Sequence, residues 1–321
     1  MRCFPLANGS NLVRVLGGLL MCTAMMACGT GIEVTEHVTD KDVKRVLNQS
    51  GSQQATMTLD AYQDSLPAWK AGKRFWVADD QVKQLFVNNL DCDKDTLKLA
   101  GRVLEYVSHT TGGLFIDDDR YVEITLRDPL NGNHYTCRAG KAADANRPGF
   151  SIPMLIDLDL VDHVARQIQD RDYYILTGIW YDREHMQMMD GRHYIKVHVD
   201  SVLPGNAVLP MRVLFTTADT HQQAMVWMSD KSSTMHGRDF DAMFAASDPH
   251  LAYPTINDAT WERITRAQVA EGMTKEECRL SLGAPKRVNE RPDQGGMREY
   301  WYYDGGSYLY FVDGLLSQFR R

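Results

Sequence analysis

The sequence predicts a mixed, mainly β protein: two small β-barrel-like units in tandem, then an α+β domain of two helices and a three-stranded antiparallel sheet. Three observations lead there. Runs rich in aromatic and β-branched residues recur from Gly72 to Ser229, separated by turn formers. These runs fall into two sets that follow one plan. After residue 258 the pattern changes to two capped helical stretches and then short strands joined by Asp-Gly turns.

The first set comprises KRFWV (73–77), GRVLEYVSH (101–109), YVEITLRD (121–128) and HYTCR (134–138). Asn131-Gly132 marks a tight turn between the last two. The second set comprises DYYILTGIWYD (172–182), HYIKVHVD (193–200), PMRVLFTT (210–217) and QAMVWMS (223–229). Each set has an opening strand, a long second strand and a closing hairpin. Each also follows an expected short helix, AYQDSLPAWKA (61–71) or DLVDHVARQI (159–168). Sheets this small bury one face and remove their edges by curling, so SH3-like or OB-like barrels over 61–145 and 151–230 are expected. A single larger β-sandwich is the alternative.

The N-terminus sets the expected compartment. Arg2 and Arg14 precede or flank VLGGLLMCTAMMA (15–27), an apolar run of signal-peptide length that is too short to span a bilayer. It ends at Ala27-Cys28-Gly29. A small residue before a cysteine resembles the lipobox of bacterial lipoproteins, which implies that residues 1–27 are removed and that Cys28 is acylated. Lipid on Cys28 makes the membrane a partner, anchoring the chain without spanning. Residues 28–60 read as a tether with a short helix near 39–47, where Thr39 and Asp42 have capping-box spacing.

Charge excludes one partner class. The 321 residues carry a formal charge of −7, and removing residues 1–27, with two arginines and no acid, takes it to −9. Without a basic stripe such a chain has no field to attract phosphate backbones, so no nucleic-acid partner is expected. The cysteines after Cys28 are Cys92, Cys137 and Cys278, too sparse for a disulfide framework. A Cys92–Cys137 bridge and two buried thiols both remain open.

Catalytic signatures are scarce. No GxSxG elbow, Walker loop, HExxH helix or GxGxxG turn occurs, so no catalytic residue, metal or cofactor is assigned. The strongest alternative is YDREHMQMMDGRH (181–193), where Asp182, His185, Asp190 and His193 offer imidazole and carboxylate ligands. A polar hairpin loop carrying exposed methionines explains the same residues. His198 and Asp200 share one face of a strand, but alternation puts that face toward solvent. Asp117-Asp118-Asp119 lacks the glycine and distal glutamate of a calcium loop and reads as an acidic turn.

Residues 231–257 read as a linker with a helical piece at 239–247. Beyond it, Asp258 is a cap candidate for a helix through WERITRAQV (261–269), stopped by Glu271-Gly272. Thr274 and Glu277 have the spacing of a capping box, Cys278, Leu280 and Leu282 are apolar, and Gly283 and Pro285 end the second helix. REYWYYD (298–304), SYLYFVD (307–313) and LLSQFR (315–320) complete the domain as a meander.

Four elements in this order carry a family resemblance. They are Gly272-Met273-Thr274-Lys275-Glu276-Glu277, Leu282-Gly283-Ala284-Pro285, Glu299-Tyr300-Trp301-Tyr302-Tyr303, and Tyr308 through Gly314. Together they resemble the SmpA/OmlA (BamE-like) family of outer-membrane lipoproteins over about the last fifth of the chain. The resemblance implies a non-enzymatic adaptor, outer-membrane bound and facing the periplasm, that contacts lipid and envelope proteins, including outer-membrane assembly machinery. The similar fold of β-lactamase-inhibitor proteins also implies protein binding. Tyr300, Tyr302, Tyr303, Tyr308 and Tyr310 are the candidate contact residues, because alternate members of the aromatic strands must point away from the helices.

Overall fold

A computed structural model describes residues 58–87, 97–112, 120–230, 237–293 and 296–320. Cys28, Cys92, the 39–47 helix and the 117–119 turn lie outside the described residues. The chain is mainly β, built on antiparallel sheets.

The first sheet has the order β4-β3-β2-β1-β5, formed by β1 (Arg74–Val77), β2 (Val103–Gly112), β3 (Tyr121–Arg127), β4 (His134–Lys141) and β5 (Leu155–Asp157). Period-two alternation turns Phe75, Val77, Leu104, Val122, Ile124, Leu126, Tyr135 and Cys137 inward, where Leu66 and Trp69 cover them. The sheet curls: the chain leaves β1 at one side and returns to β4 at the other, where Val87 N–H donates to Thr136 O at 2.9 Å. The helix expected over 61–71 is reduced to a 3-10 turn at Leu66–Ala68, because Pro67 removes a donor within it.

The second sheet has the order β12-β6-β9-β10-β11-β7-β8. Its strands are β6 (Asp172–Ile175), β7 (Ile179–Tyr181), β8 (Met188–Asp190), β9 (Ile195–Pro204), β10 (Met211–Thr217), β11 (Gln223–Met228) and β12 (Phe244–Ala245). The run 172–182, read as one strand, is therefore two. Leu176 N–H donates to Met243 O at 2.8 Å, which carries the β6–β12 register one residue further. Only Leu176–Gly178 joins β6 to β7, although β9, β10 and β11 stand between them. Four flat strand spacings need about 19 Å; three connecting residues reach roughly 14 Å at most. The sheet must curl to close that distance.

The two sheets share one strand order. β1, β2, β3, β4 and β5 have the same neighbours as β6, β9, β10, β11 and β12, so the sequence repeat is a repeat of topology. β5 belongs to the first sheet although it lies past residue 151, and it runs directly into α1 (Leu158–Ile168). Asp157 caps α1, whose Val161, Val164 and Ile168 pack into the core of the second sheet. The helical piece expected at 239–247 stops early. It is one turn, α2 (Phe240–Met243), after which Phe244-Ala245 pairs with β6.

The C-terminal part packs α3 (Asp258–Thr265) and α4 (Lys275–Leu282) on one face of a sheet. That sheet has four strands, not the three expected: β13 (Arg287–Asp293), β14 (Gly296–Tyr302), β15 (Tyr308–Val312) and β16 (Leu315–Arg320). RVNERPD lacks the apolar alternation of a half-buried strand because it is an edge, where charges and a proline such as Pro292 are tolerated. Asn257, rather than Asp258, caps α3 by accepting from Thr260 N–H at 2.9 Å, and α3 stops before Ala267, which has φ 55°. The Thr274–Glu277 capping box forms as expected, and Gly283 ends α4 at φ 80°. Cys137 and Cys278 are free thiols, each buried and pushed up to about 12 by desolvation. Among the described residues no helix is long and apolar enough to cross a membrane.

Candidate interaction surfaces

Alternation in the C-terminal sheet decides which tyrosines can meet a partner. Trp301, Leu309 and Phe311 point to the helices and are buried. Tyr300 and Tyr302 on β14, with Tyr308 and Tyr310 on β15, take the opposite face and are half-buried. The register sets Tyr300 opposite Tyr310 and Tyr302 opposite Tyr308. The first pair is in ring contact, with centroids 4.6 Å apart.

The same face carries cations. Arg287 pairs with Tyr302 across β13–β14, and its guanidinium lies 4.4 Å from the ring centroid. Arg291 stands opposite Arg298 in the same register, and Arg320 stands opposite Tyr308. A chain with net negative charge thus presents a sheet face of four tyrosines and four arginines, residue types enriched where proteins recognise one another. β13 is the part that sequence reading missed. The alternating Arg287, Asn289 and Arg291 was the available signal.

Tyr303 does not belong to this face. It follows Trp301 by two residues, turns to the helix side, and its hydroxyl donates to Gly283 O at 3.2 Å. Burial raises its phenol well above the ordinary tyrosine range. Beneath the face, the buried carboxylate of Glu299 is held by Lys275 of α4 and accepts from Trp301 Nε1 at 3.1 Å. This ion pair fastens the helix layer to the strand that displays Tyr300.

The 181–200 candidates are dispersed. Asp182 spends both oxygens on its own loop, accepting from the backbone N–H groups of His185 at 2.6 Å and Gln187 at 2.8 Å. These bonds hold its carboxyl below the usual range. His185 and Asp190 are exposed, whereas His193 is buried. His198 bonds Asp172 of β6 at 2.9 Å, while Asp200 accepts from Thr216 Oγ1 at 2.7 Å and pairs with Arg183. The alternative His198–Asp200 pair is thus divided, each member bonded to a different partner. Among the described residues no group of three or more His, Cys, Asp or Glu is placed to hold a metal ion.

His193 lines a cleft of about 1070 Å³ between the second sheet and the helices of the C-terminal part. Burial pushes its imidazole below the ordinary histidine value, and its backbone N–H donates to Thr265 O at 3.0 Å. The histidine thus helps dock the second sheet onto α3.

Comparison with known protein families, curated proteins and solved structures finds no match to this chain.

Proposed function

We propose that this chain is a non-enzymatic lipoprotein of the bacterial envelope, anchored through Cys28, that works as a binding or scaffold component. On this reading each curled sheet is a small barrel of the SH3-like or OB-like kind. The C-terminal part is an SmpA/OmlA-like adaptor at the outer membrane, facing the periplasm, and its partners are envelope proteins that include assembly machinery. The observation that carries the reading is the tyrosine–arginine face formed by Tyr300, Tyr302, Tyr308, Tyr310, Arg287 and Arg320. Tyrosine supplies large, rigid contact area at low entropic cost, and arginine adds forked donors for carboxylates. Lipid on Cys28 confines the chain to the membrane plane and raises its local concentration toward partners there.

Two measurements test this. Cys28→Ser should move the protein from membrane to soluble fractions and change its mature mass; unchanged attachment and mass would sink the anchor. Tyr300→Ala with Tyr310→Ala should abolish crosslinks from a photo-reactive residue at position 302 in native envelopes while leaving the melting temperature nearly unchanged. Crosslinks that persist in the double variant would remove the face from the mechanism.

The runner-up is a cell-wall-binding or inhibitor-like protein acting through the tandem units. Its support is the topological repeat, which duplicates one scaffold. Co-sedimentation of the full chain with peptidoglycan, unaffected by the Tyr300/Tyr310 double variant, would favour it. An envelope hydrolase using residues 182–200 draws least support, given the separate partners of His198 and Asp200.

A further inference from the structure

The geometry points to a second docking surface, on the outward face of the second sheet, for a protein segment that presents one carboxylate flanked by apolar side chains. β8, β7, β11 and β10 lie side by side there. Register places Met188 opposite Tyr181, and sets Trp227, Arg212 and Leu203 in one row across β11, β10 and β9. Tyr181 and Trp227 are in edge-to-face contact at 6.2 Å. Met188 is 74% exposed, Met186 43% and Leu203 36%. These residues form a patch of methionine, aromatic and aliphatic groups open to solvent.

Arg212 gives the patch its chemistry. Its Nε donates to Pro204 O at 2.9 Å, and Nη1 lies 4.0 Å from Met186 Sδ. Among the described residues no carboxylate forms an ion pair with it. Desolvation alone lowers its pKa, as expected for a guanidinium without a nearby acid. A half-buried arginine beside apolar groups, with no ion pair among the described residues, keeps donors available to a partner's carboxylate. Such an arginine between Trp and Tyr has the composition of a binding hot spot.

The occupant follows from charge. Glu184 and Asp190 are exposed on the flanking loop and strand. With one such arginine and two exposed acids nearby, an array of phosphates such as an anionic membrane meets more repulsion than attraction, while a single carboxylate can pair with Arg212. Methionine adapts to varied apolar partners, which suits a surface that grips a short extended segment.

The test uses the full chain and a labelled ten-residue peptide of alternating Leu and Thr around a central Glu, with the Gln peptide as its isostere, read by fluorescence anisotropy. The Glu peptide should bind roughly tenfold tighter than the Gln peptide. Arg212→Gln should erase that preference, with Arg212→Lys recovering part of it. Met188→Glu should weaken both peptides, and as a 74% exposed position it leaves folding intact. Equal binding of the two peptides, an unchanged preference in Arg212→Gln, or no binding at millimolar peptide overturns the proposal. Self-association in sedimentation that Met188→Glu abolishes would also overturn it, by making a second copy the occupant.

Discussion

Lys73 Nζ stands 2.8 Å from Asp157 Oδ2, joining the start of the first sheet to the residue that caps α1 of the second unit. Asp64 and Asp159 approach the same ammonium at 2.9 Å each, and the Tyr62 hydroxyl completes the shell at 2.9 Å. The lysine side chain is only 4% exposed. One cation therefore gathers the entry segment, β1, β5 and α1.

Lys73→Met should destabilise the chain by about 1–3 kcal/mol, because it leaves the partly buried Asp157 and Asp64 carboxylates without a counter-charge. Urea unfolding measures this. Burial alone pushes the ammonium toward the neutral form, but hydrogen bonds to Asp157, Tyr62 and Asp159 outweigh it and raise its pKa above the ordinary lysine value. That stabilisation is full below the unfolded lysine pKa and is lost only as pH rises through the higher folded one. The Lys73 contribution should thus stay constant from pH 6 to pH 9.

Acid should act elsewhere. Arg192 lies 2.7 Å from Asp219 and is the main cause that lowers this carboxyl to about 2. A depressed carboxyl adds stability above its unfolded pKa, near the ordinary carboxylate value, and loses it as pH falls through about 2. Asp219→Asn should flatten the stability profile over that acid range and leave its shape near neutrality unchanged. Unfolding midpoints between pH 2 and pH 5 check it.

Gly191→Ala should cost about 1–3 kcal/mol through overpacking. A Cβ there would clash with the Trp180 ring and stand 2.6 Å from Gly178 O. Trp180 is fully buried and anchored by its Nε1 to Thr177 O at 2.7 Å, so the ring cannot yield cheaply. Thermal melting of the variant gives the answer, and an unchanged midpoint would contradict the tight closure between β7 and β8.

Thr274→Ala should cost about 1 kcal/mol by removing the hydroxyl that accepts from Glu277 N–H at 3.2 Å. Gly283→Ala should cost a similar amount, because φ 80° strains any residue with a Cβ while the space around it is open. The two changes sit at opposite ends of α4 and should add in denaturant titrations.

Several local features were legible because neighbours in sequence decide them. The Thr274–Glu277 box, the Gly283 stop, the Asn131-Gly132 turn and the long strands of both sets need only short-range rules. β13 escaped because an edge strand buries little and so carries no apolar alternation. The break at Leu176–Gly178 escaped because the apolar run continues through it, while the strands that pair with β6 and β7 on either side are distant in the chain. Tyr303 stands among the candidate tyrosines, yet strict alternation excludes it, because it follows Trp301 by two residues and shares the helix-facing side.

The sequence by itself determined the β-rich character, the repeat of two strand sets and the capped helix of the last part, since periodicity and backbone capping are written in adjacent residues. Tertiary structure alone decided which side chains meet. Lys73 finds Asp157 eighty-four positions away, Arg183 rather than His198 takes Asp200, and Arg287 stacks on Tyr302. Such pairings depend on how curled sheets bring distant strands into register, and a linear pattern holds no record of that geometry.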